Sequence, residues 1–306
     1  MTSLPIKAVT FDFWGTLVDA SADYTPRRVA LLAERLGSIS LEEAMQAYAQ
    51  AAETASHVSR IGFSLPTTSV LGITLDALGC ALPPDDRAQI LAYWEEVILD
   101  DPPAPLPGIA ETLAHLDNLG IPLGLISDTG ISPGRSLRRV LEHAGLRHHF
   151  RQLTFSDEIG ATKRRQHPFR STLAALGVRP EHALHVGDLP ETDIAGAQAV
   201  GMRTALLLQH SGRRDGAAHA DLVLERCTDL IDAIAPWLQS LTCHRLLAHS
   251  ASARSCHPAA MAIHRAPRES CRSSRPIGRC YAGARLPRNT HGPRGSAAAG
   301  AFTSSW

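Results

Sequence analysis

Short apolar segments alternate with helix-like segments along most of this 306-residue chain, and this alternation limits the folds available to it. Parallel strands need a crossover connection, which is usually a helix, so the alternation predicts a parallel sheet. We expect strands at 6–11, 121–126, 183–187, 203–208 and 221–224, and helices at 109–119, 134–145, 168–177 and 192–200. The sequence therefore predicts the α/β class, with helices on both faces of the sheet.

Residues 20–100 interrupt the alternation, because they contain four helical stretches and no convincing strand. Within them, 41–58 has the apolar spacing of an amphipathic helix, and Ser40 with Glu43 can form a capping box at its start. We therefore expect an α/β core that is interrupted by a helical insert. The predicted domains are a core at 1–19 and 101–241, the helical insert at 20–100, and a tail at 242–306.

The tail at 242–306 differs in kind from the rest of the chain. It has no hydrophobic period, and it carries ten Arg against the single acid Glu269. Such a segment buries too little apolar area to offset the entropy lost on ordering, so we expect a disordered basic tail. A basic tail can bind nucleic acid or anionic surfaces, but we favour a solvated appendage or an out-of-frame extension of the gene.

Composition excludes several classes of function. The formal net charge is zero, so we expect neither a nucleic-acid partner nor binding to an anionic membrane. No segment reaches the roughly 18 uninterrupted apolar residues of a membrane span, and we expect no secretory signal. Only Cys80 and Cys227 precede residue 242, which predicts no disulfide framework and a reducing, cytoplasmic setting.

Acidic and hydroxyl side chains follow three of the predicted strands. Asp12 ends the first, Ser127 and Asp128 end the second, and Asp188 ends a later one, with Asp193 five residues on. In open α/β sheets, ligands bind at the edge where the carboxyl ends of the strands lie. Clustered carboxylates repel one another unless a cation joins them, and hard oxygen ligands suit Mg²⁺. The sequence therefore predicts Mg²⁺ as the cofactor, bound at this edge.

Lys163 and His185 are basic residues close in sequence to the predicted site, and we interpret one as a site residue and the other as a core residue. Lys163 is one of only two lysines, the other being Lys7, in a chain that otherwise uses Arg. A compact ammonium can lie between a carboxylate and a phosphoryl oxygen as a point charge, so we expect Lys163 to belong to the site. His185 lies inside the apolar strand 183–187, where we expect a core histidine rather than a catalytic group.

Four segments resemble, in order, the motifs of the haloacid dehalogenase superfamily of hydrolases. They are FDFWGTL (11–17), LISDTG (125–130), Lys163 and HVGDLPETD (185–193). The resemblance covers about residues 5–240 and is closest to the phosphatase-like branch. It implies a Rossmann-like core with a helical cap inserted between the first and second motifs, which is where 20–100 falls.

The resemblance also implies a role for each matching residue. Asp12 would be the covalent nucleophile, Ser127 would hold the transferring phosphoryl oxygen, and Lys163 would offset the charge. The implied Mg²⁺ ligands are Asp12, Asp188, the backbone carbonyl of Trp14, and Asp193 acting directly or through water. The implied substrate contacts are Phe13, Trp14, Ser127 and Asp128.

Trp14 is the main departure from the family pattern. Phosphatases of the family carry an acid there, which protonates the leaving group and then activates water; Trp can do neither. The loss of a general acid/base typically costs about 10²–10⁴-fold in rate. A second departure is Arg164, where the family usually has Pro after the lysine; we expect it to alter the loop rather than the charge.

The resemblance leaves three functions open. We expect a Mg²⁺-dependent hydrolase of small phosphorylated metabolites that works through an aspartyl-phosphate. An aromatic at position 14 also resembles the 2-haloacid dehalogenases, which have Tyr there and need no metal, but that branch lacks the Gly187-Asp188 pair of the fourth motif. The third alternative is a weakly active relative that binds phosphate ligands. The residues identify neither the substrate nor the oligomeric state.

Overall fold

A six-stranded parallel sheet forms the centre of the computed structural model, which describes residues 4–238. The strand order is β3-β2-β1-β4-β5-β6, and every neighbouring pair is parallel. The strands are β1 Ala8–Phe11, β2 Leu123–Ser127, β3 Phe150–Phe155, β4 Ala183–Gly187, β5 Arg203–Leu207 and β6 Leu222–Leu224. This arrangement confirms the predicted α/β fold, whereas the predicted tail at 242–306 lies outside the described residues.

Helices surround the sheet and also form the insert that follows β1. They are α1 Thr25–Leu36, α2 Leu41–Arg60, α3 Thr67–Ala77, α4 Pro84–Glu96, α5 Ile109–Asn118, α6 Gly134–His143, α7 Ser156–Ile159, α8 His167–Leu176 and α9 Ala195–Gln198, and residues 230–238 are also helical. The four helices α1–α4, here called the cap, follow one another before β2 and confirm the predicted helical insert. The domain boundaries themselves stay predictions. Within residues 4–238, no helix combines the length and the apolar character that a bilayer crossing requires.

Strand β3 was missed by the sequence analysis, which placed no strand at 150–155. Arg151 and Gln152 break the apolar pattern of this segment, and Arg151 is exposed. β3 lies at one edge of the sheet, where polar side chains can reach solvent. The sequence pattern therefore predicts β2 but not its neighbour β3.

The helix predicted at 192–200 is shorter than expected and begins after a π-helical turn. This turn covers Pro190–Ile194, and α9 follows it. Asp193 closes the turn, because its Oδ2 accepts the N–H of Leu189 at 3.0 Å and its own N–H donates to the Leu189 carbonyl at 2.9 Å. Asp193 thus ends the loop after β4 in a geometry that regular helix periodicity does not predict.

The cap has its own hydrophobic core around Trp94. The indole is fully buried and packs edge-to-face on Tyr48, with ring centroids 5.3 Å apart. Its Nε1–H donates to the Arg28 carbonyl at 2.9 Å, which ties α4 to α1. Buried apolar residues of all four helices complete this core: Val29, Leu32, Ala44, Ala51, Val70, Leu71, Leu75 and Ile90.

Two side chains of the cap bind the loop that follows β2. Arg28 Nη2 donates to Ser132 Oγ at 2.9 Å, and Thr67 Oγ1 donates to the Ile131 carbonyl at 3.0 Å. Phe63, in the connection between α2 and α3, also forms an isolated antiparallel bridge with Ala161, two residues before Lys163. The cap therefore contacts the two loops that carry Asp128 and Lys163.

Removal of the α2 cap residue should destabilise the protein measurably. Ser40 Oγ accepts the Glu43 N–H at 3.2 Å, and Ser40 N–H donates to Glu43 Oε2 at 2.9 Å, which confirms the predicted capping box. Ser40→Ala should lower the free energy of unfolding by about 1 kcal/mol, measured by urea unfolding. The control is Ser38→Ala, whose hydroxyl makes only a 3.4 Å contact with a carbonyl. Equal losses in both variants would contradict the role of the capping box.

Candidate active site

Three carboxylates meet at the carboxyl edge of the sheet. Asp12 follows β1, Asp188 follows β4, and Asp193 closes the turn after β4. One carboxylate oxygen of each lies within 4.8 Å of those of the other two, and all three residues are buried. The meeting follows from strand order, because β1 and β4 are neighbours and the Asp12 N–H still donates to the Val186 carbonyl at 2.9 Å.

Lys163 lies between two of these carboxylates. Its Nζ is 2.5 Å from Asp12 Oδ1 and 2.6 Å from Asp193 Oδ1, and only about 2% of the residue is exposed. Its backbone N–H donates to Asp128 Oδ1 at 2.9 Å. Asp128 is half-buried, so the residue predicted as a substrate contact also fixes the loop that delivers the ammonium.

Burial and mutual repulsion set the ionisation of this cluster. Burial raises the pKa of Asp12 well above its ordinary value; Asp193 and Asp188 add to the effect, and Lys163 opposes it. Burial, together with the charge of Asp193, raises the pKa of Asp188 to about 6. Burial alone would raise the pKa of Asp193, but Lys163 and His185 outweigh it and hold that pKa below its usual range. When its three carboxylates are ionised, the cluster therefore has a net negative charge, because Lys163 offsets only one of them.

The acids that surround Lys163 keep it protonated. Burial alone would lower the pKa of the ammonium, but Asp12, Asp193 and Asp128 together outweigh burial and raise it. A carboxylate beside a permanent cation is favoured in its charged form. The site thus holds one fixed positive charge against several acids.

The donor set of the site fits a divalent cation. Asp188 Oδ1 is buried and has no hydrogen-bond partner within residues 4–238. Gly15 makes room beside the same carboxylate, since a Cβ there would lie 2.6 Å from Asp188 Oδ2, and its φ of +68° suits glycine. A buried, unpaired carboxylate oxygen is costly unless a cation meets it, and oxygen donors suit Mg²⁺.

Ser127 ends β2 with its hydroxyl largely uncommitted. The residue is about 1% exposed, and Oγ makes one long contact, 3.3 Å, with the Asp128 carbonyl. β2 pairs with β1 through Phe11 and Leu125, which places Ser127 on the strand next to Asp12. The hydroxyl can therefore serve a ligand without breaking a strong bond.

Trp14 and Phe13 form an aromatic pair directly after the candidate nucleophile. Their ring centroids are 4.9 Å apart at an interplanar angle of 80°. Phe13 is fully buried and Trp14 is half-buried, and both pack in the core. Neither side chain can transfer a proton at neutral pH. The structure thus places two aromatic side chains directly after Asp12.

His185 is a core residue, as predicted, but it also orients an acid of the site. The imidazole is fully buried; Nε2 lies 3.1 Å from Asp193 Oδ1 and Nδ1 lies 2.8 Å from Thr10 Oγ1. Burial lowers the pKa of His185, which favours the neutral ring. The sequence contained one signal for the contact with Thr10, because Thr10 and His185 are polar residues within otherwise apolar strands, and the two strands pair at this position.

The comparisons with known proteins agree with this geometry. A family model described as haloacid dehalogenase-like hydrolase matches residues 6–201. A glyceraldehyde 3-phosphate phosphatase of Methanopyrus kandleri is 31% identical over 42% of this chain, and the match spans only 56%, about half, of that relative's length. An N-acetylmuramic acid 6-phosphate phosphatase of Pseudomonas aeruginosa is 24% identical over 76% of this chain and 97% of its own length.

A solved structure of a 2-haloacid dehalogenase from Pseudomonas syringae pv. tomato is also similar to the chain. It is 25% identical, with a TM-score of 0.58, and the match covers 76% of this chain and 99% of that one. The chain is therefore similar in sequence to phosphatases and in fold to this dehalogenase. Fold similarity does not separate the two chemistries, so the residues of the site must do so.

Neutralisation of Asp188 should stabilise the protein when divalent metal is removed. With its pKa raised to about 6, protonated Asp188 supports the fold at low pH, and this stability is lost as the pH rises through about 6. Asp188→Asn should therefore raise the Tm in EDTA at pH 8 and flatten the fall of Tm between about pH 4 and 7. Glu53→Gln, an exposed neutralisation on α2, is the control. A lower or unchanged Tm for Asp188→Asn in EDTA would contradict this assignment.

Proposed function

The chain belongs to the haloacid dehalogenase-like hydrolases, and we propose that it is a Mg²⁺-dependent phosphatase that hydrolyses small phosphorylated metabolites through an aspartyl-phosphate on Asp12. One observation carries the proposal. Buried Asp12 is paired with Lys163 at 2.5 Å, while Asp188 beside it keeps a buried carboxylate oxygen that has no hydrogen-bond partner among the described residues. An ammonium suited to a phosphate and a carboxylate suited to a cation thus flank one nucleophile. The phosphatase relatives support the same chemistry.

Asp12 would attack phosphorus with the oxygen that Lys163 does not bind. Lys163 holds Oδ1, which leaves Oδ2 free of that contact. A new Oδ2–P bond forms as the ester P–O bond breaks, and the leaving group departs as an alkoxide that takes a proton from solvent. Lys163 offsets the charge of the phosphoryl oxygens, and Ser127 donates a hydrogen bond to one of them. Water then attacks phosphorus, releases inorganic phosphate and regenerates Asp12.

Mg²⁺ would be held by Asp12, Asp188 and the backbone carbonyl of Trp14. When bound, it screens the repulsion between the Asp12 carboxylate and the anionic phosphate. Asp193 already accepts hydrogen bonds from Lys163, His185 and the Leu189 N–H. These bonds favour contact of Asp193 with the metal through water rather than directly. The cytoplasmic location stays a prediction.

A 2-haloacid dehalogenase is the second candidate function. The aromatic residue at position 14 and the similar dehalogenase structure favour it. The buried Asp188 cluster favours the phosphatase, because a metal-free reaction gives no reason to gather three carboxylates. A relative that binds phosphate ligands without turnover is the third alternative.

Metal-dependent release of phosphate is the decisive measurement. We expect the purified full chain to release inorganic phosphate from a panel of esters with Mg²⁺ and not with EDTA. Asp12→Asn should lower kcat by at least about 10³-fold, because the nucleophile is lost. The control is Asp19→Asn, a half-buried acid seven residues away that accepts the Ser21 N–H. Chloride release from 2-chloropropionate without phosphate release would establish the dehalogenase, and phosphate binding without turnover would establish the third alternative.

Trp14 should make hydrolysis of the covalent intermediate the slow step. A burst of about one alcohol per active site is then expected in rapid-quench experiments, followed by a slower steady state. Trp14→Asp should raise the steady-state rate by about 10²-fold and remove the burst, since it restores a general base. Trp14→Asn is the matched control, with nearly the same shape and no proton transfer. Equal rates in both variants at equal Tm would show that another group supplies the proton transfer.

A further inference from the structure

A cavity of about 280 Å³ lies between the cap and the core, beside the candidate site. Its core wall includes Thr129, the residue after Asp128, and Thr162, the residue before Lys163. The opposite wall is the middle of α2. The cavity therefore lies one residue along the chain from Asp128 and from Lys163, next to the two loops that carry them.

The side chains around this cavity are small or apolar. Ala52 and Ala55 of α2 leave the space open, and Leu65, Val70 and Ile131 bound it. Within residues 4–238, no Asp, Glu, Lys, Arg or His lines the cavity. A charged group placed there would lose its hydration without gaining an ion pair, which is strongly unfavourable.

Three hydroxyl groups of the lining are already engaged. The bonds are Thr162 Oγ1 to the Ser59 carbonyl at 3.2 Å, Thr129 Oγ1 with Ser156 Oγ at 3.1 Å, and Arg60 Nη1 to Ser56 Oγ at 3.1 Å. A hydroxyl that makes one bond can still form another, so the lining can meet a ligand with few hydroxyls. Within the described residues it has no counterpart for a charged group.

Two arginines lie just outside the lining and are held against it. Arg165 lies over the Phe63 ring at 4.7 Å and donates to the Ile61 carbonyl at 2.9 Å. Arg60 is bound to Ser56. Both arginines are exposed, so their charge can attract an anionic phosphate ester from solvent while the interior stays neutral.

We propose that the physiological ester carries an uncharged, predominantly apolar alcohol that fills this cavity; the inference rests on the proposed phosphatase function. An apolar cavity of about 150 Å³ takes one benzene ring, so 280 Å³ suits an alcohol of on the order of ten non-hydrogen atoms. We expect the same lining to disfavour esters whose alcohol carries a carboxylate or many hydroxyls. The residues of α2 that line the cavity and the loop after β2 would set the selectivity among phosphate esters.

The test compares esters that differ only in the part that enters the cavity. The probes are 2-phenylethyl phosphate, its 4-carboxy derivative, glucose 6-phosphate, and methyl phosphate, which is too small to reach the cavity. We expect kcat/KM for 2-phenylethyl phosphate to exceed that of the carboxylate and of the sugar phosphate by at least about tenfold. Turnover of methyl phosphate reports on the phosphatase chemistry alone.

Filling of the cavity provides an independent readout. Ala55→Phe should lower kcat/KM for 2-phenylethyl phosphate by about 10–200-fold and leave methyl phosphate within about twofold. Ala49→Phe places the same side chain on an exposed position of α2 and is the matched control. Because the two variants carry the same substitution on one helix, a general effect of the bulky residue would appear in both.

The possible outcomes distinguish failure of the proposed phosphatase function from failure of the cavity inference. No phosphate from any ester, with Mg²⁺ present, defeats the phosphatase function itself. Turnover of methyl phosphate with preference for the carboxylate or sugar ester overturns the cavity inference alone, and loss of that preference in Arg165→Gln would assign recognition to the exposed arginines. Equal loss of all esters in Ala55→Phe would also overturn the inference.

Discussion

The ammonium of Lys163, buried between Asp12 and Asp193, is the interaction on which the arrangement of the site depends. Burial of a lone charge costs several kcal/mol, and this cost is offset here by two short charge-assisted bonds. Because Asp12 follows β1 and Asp193 follows β4, the ammonium also holds together the ends of two neighbouring strands. His185, a residue of β4, bonds to Asp193, so the acid that contacts Lys163 is itself oriented by the sheet.

This compact arrangement requires close backbone approaches, and glycine permits them. A Cβ at Gly187 would lie 2.2 Å from Asp193 Cγ, and a Cβ at Gly196 would lie 2.4 Å from the Lys163 carbonyl. Both glycines lie near the turn that Asp193 closes, where the chain packs directly onto the loop of Lys163. The short apolar strands therefore supply the scaffold, while the absence of side chains at two positions lets the charged groups meet.

Local pattern predicted the sheet and its acidic edge, because β1, β2 and β4 are buried apolar runs that end in Asp12, Ser127 and Asp188. Pattern missed β3, an edge strand whose polar residues face solvent, and it gave no hint that His185 bonds to an acid of the site. The cavity could not be predicted from the sequence, for a different reason. Small residues on α2 look like ordinary helix positions until the fold places them opposite Ile131.

The apolar pair after Asp12 and the neutral cavity have related chemical consequences. A general acid matters most when the leaving group is a strongly basic alkoxide, whereas a phenol, with a pKa near 10, leaves without help far more readily. Under the proposed mechanism, an aryl ester would therefore fill the cavity and depend little on a general acid at position 14. Release of the phosphoryl group from Asp12 would gain nothing from the alcohol, since the alcohol has then left. An aromatic residue at position 14 would thus slow the second step with any ester, and the first step only with alkyl esters.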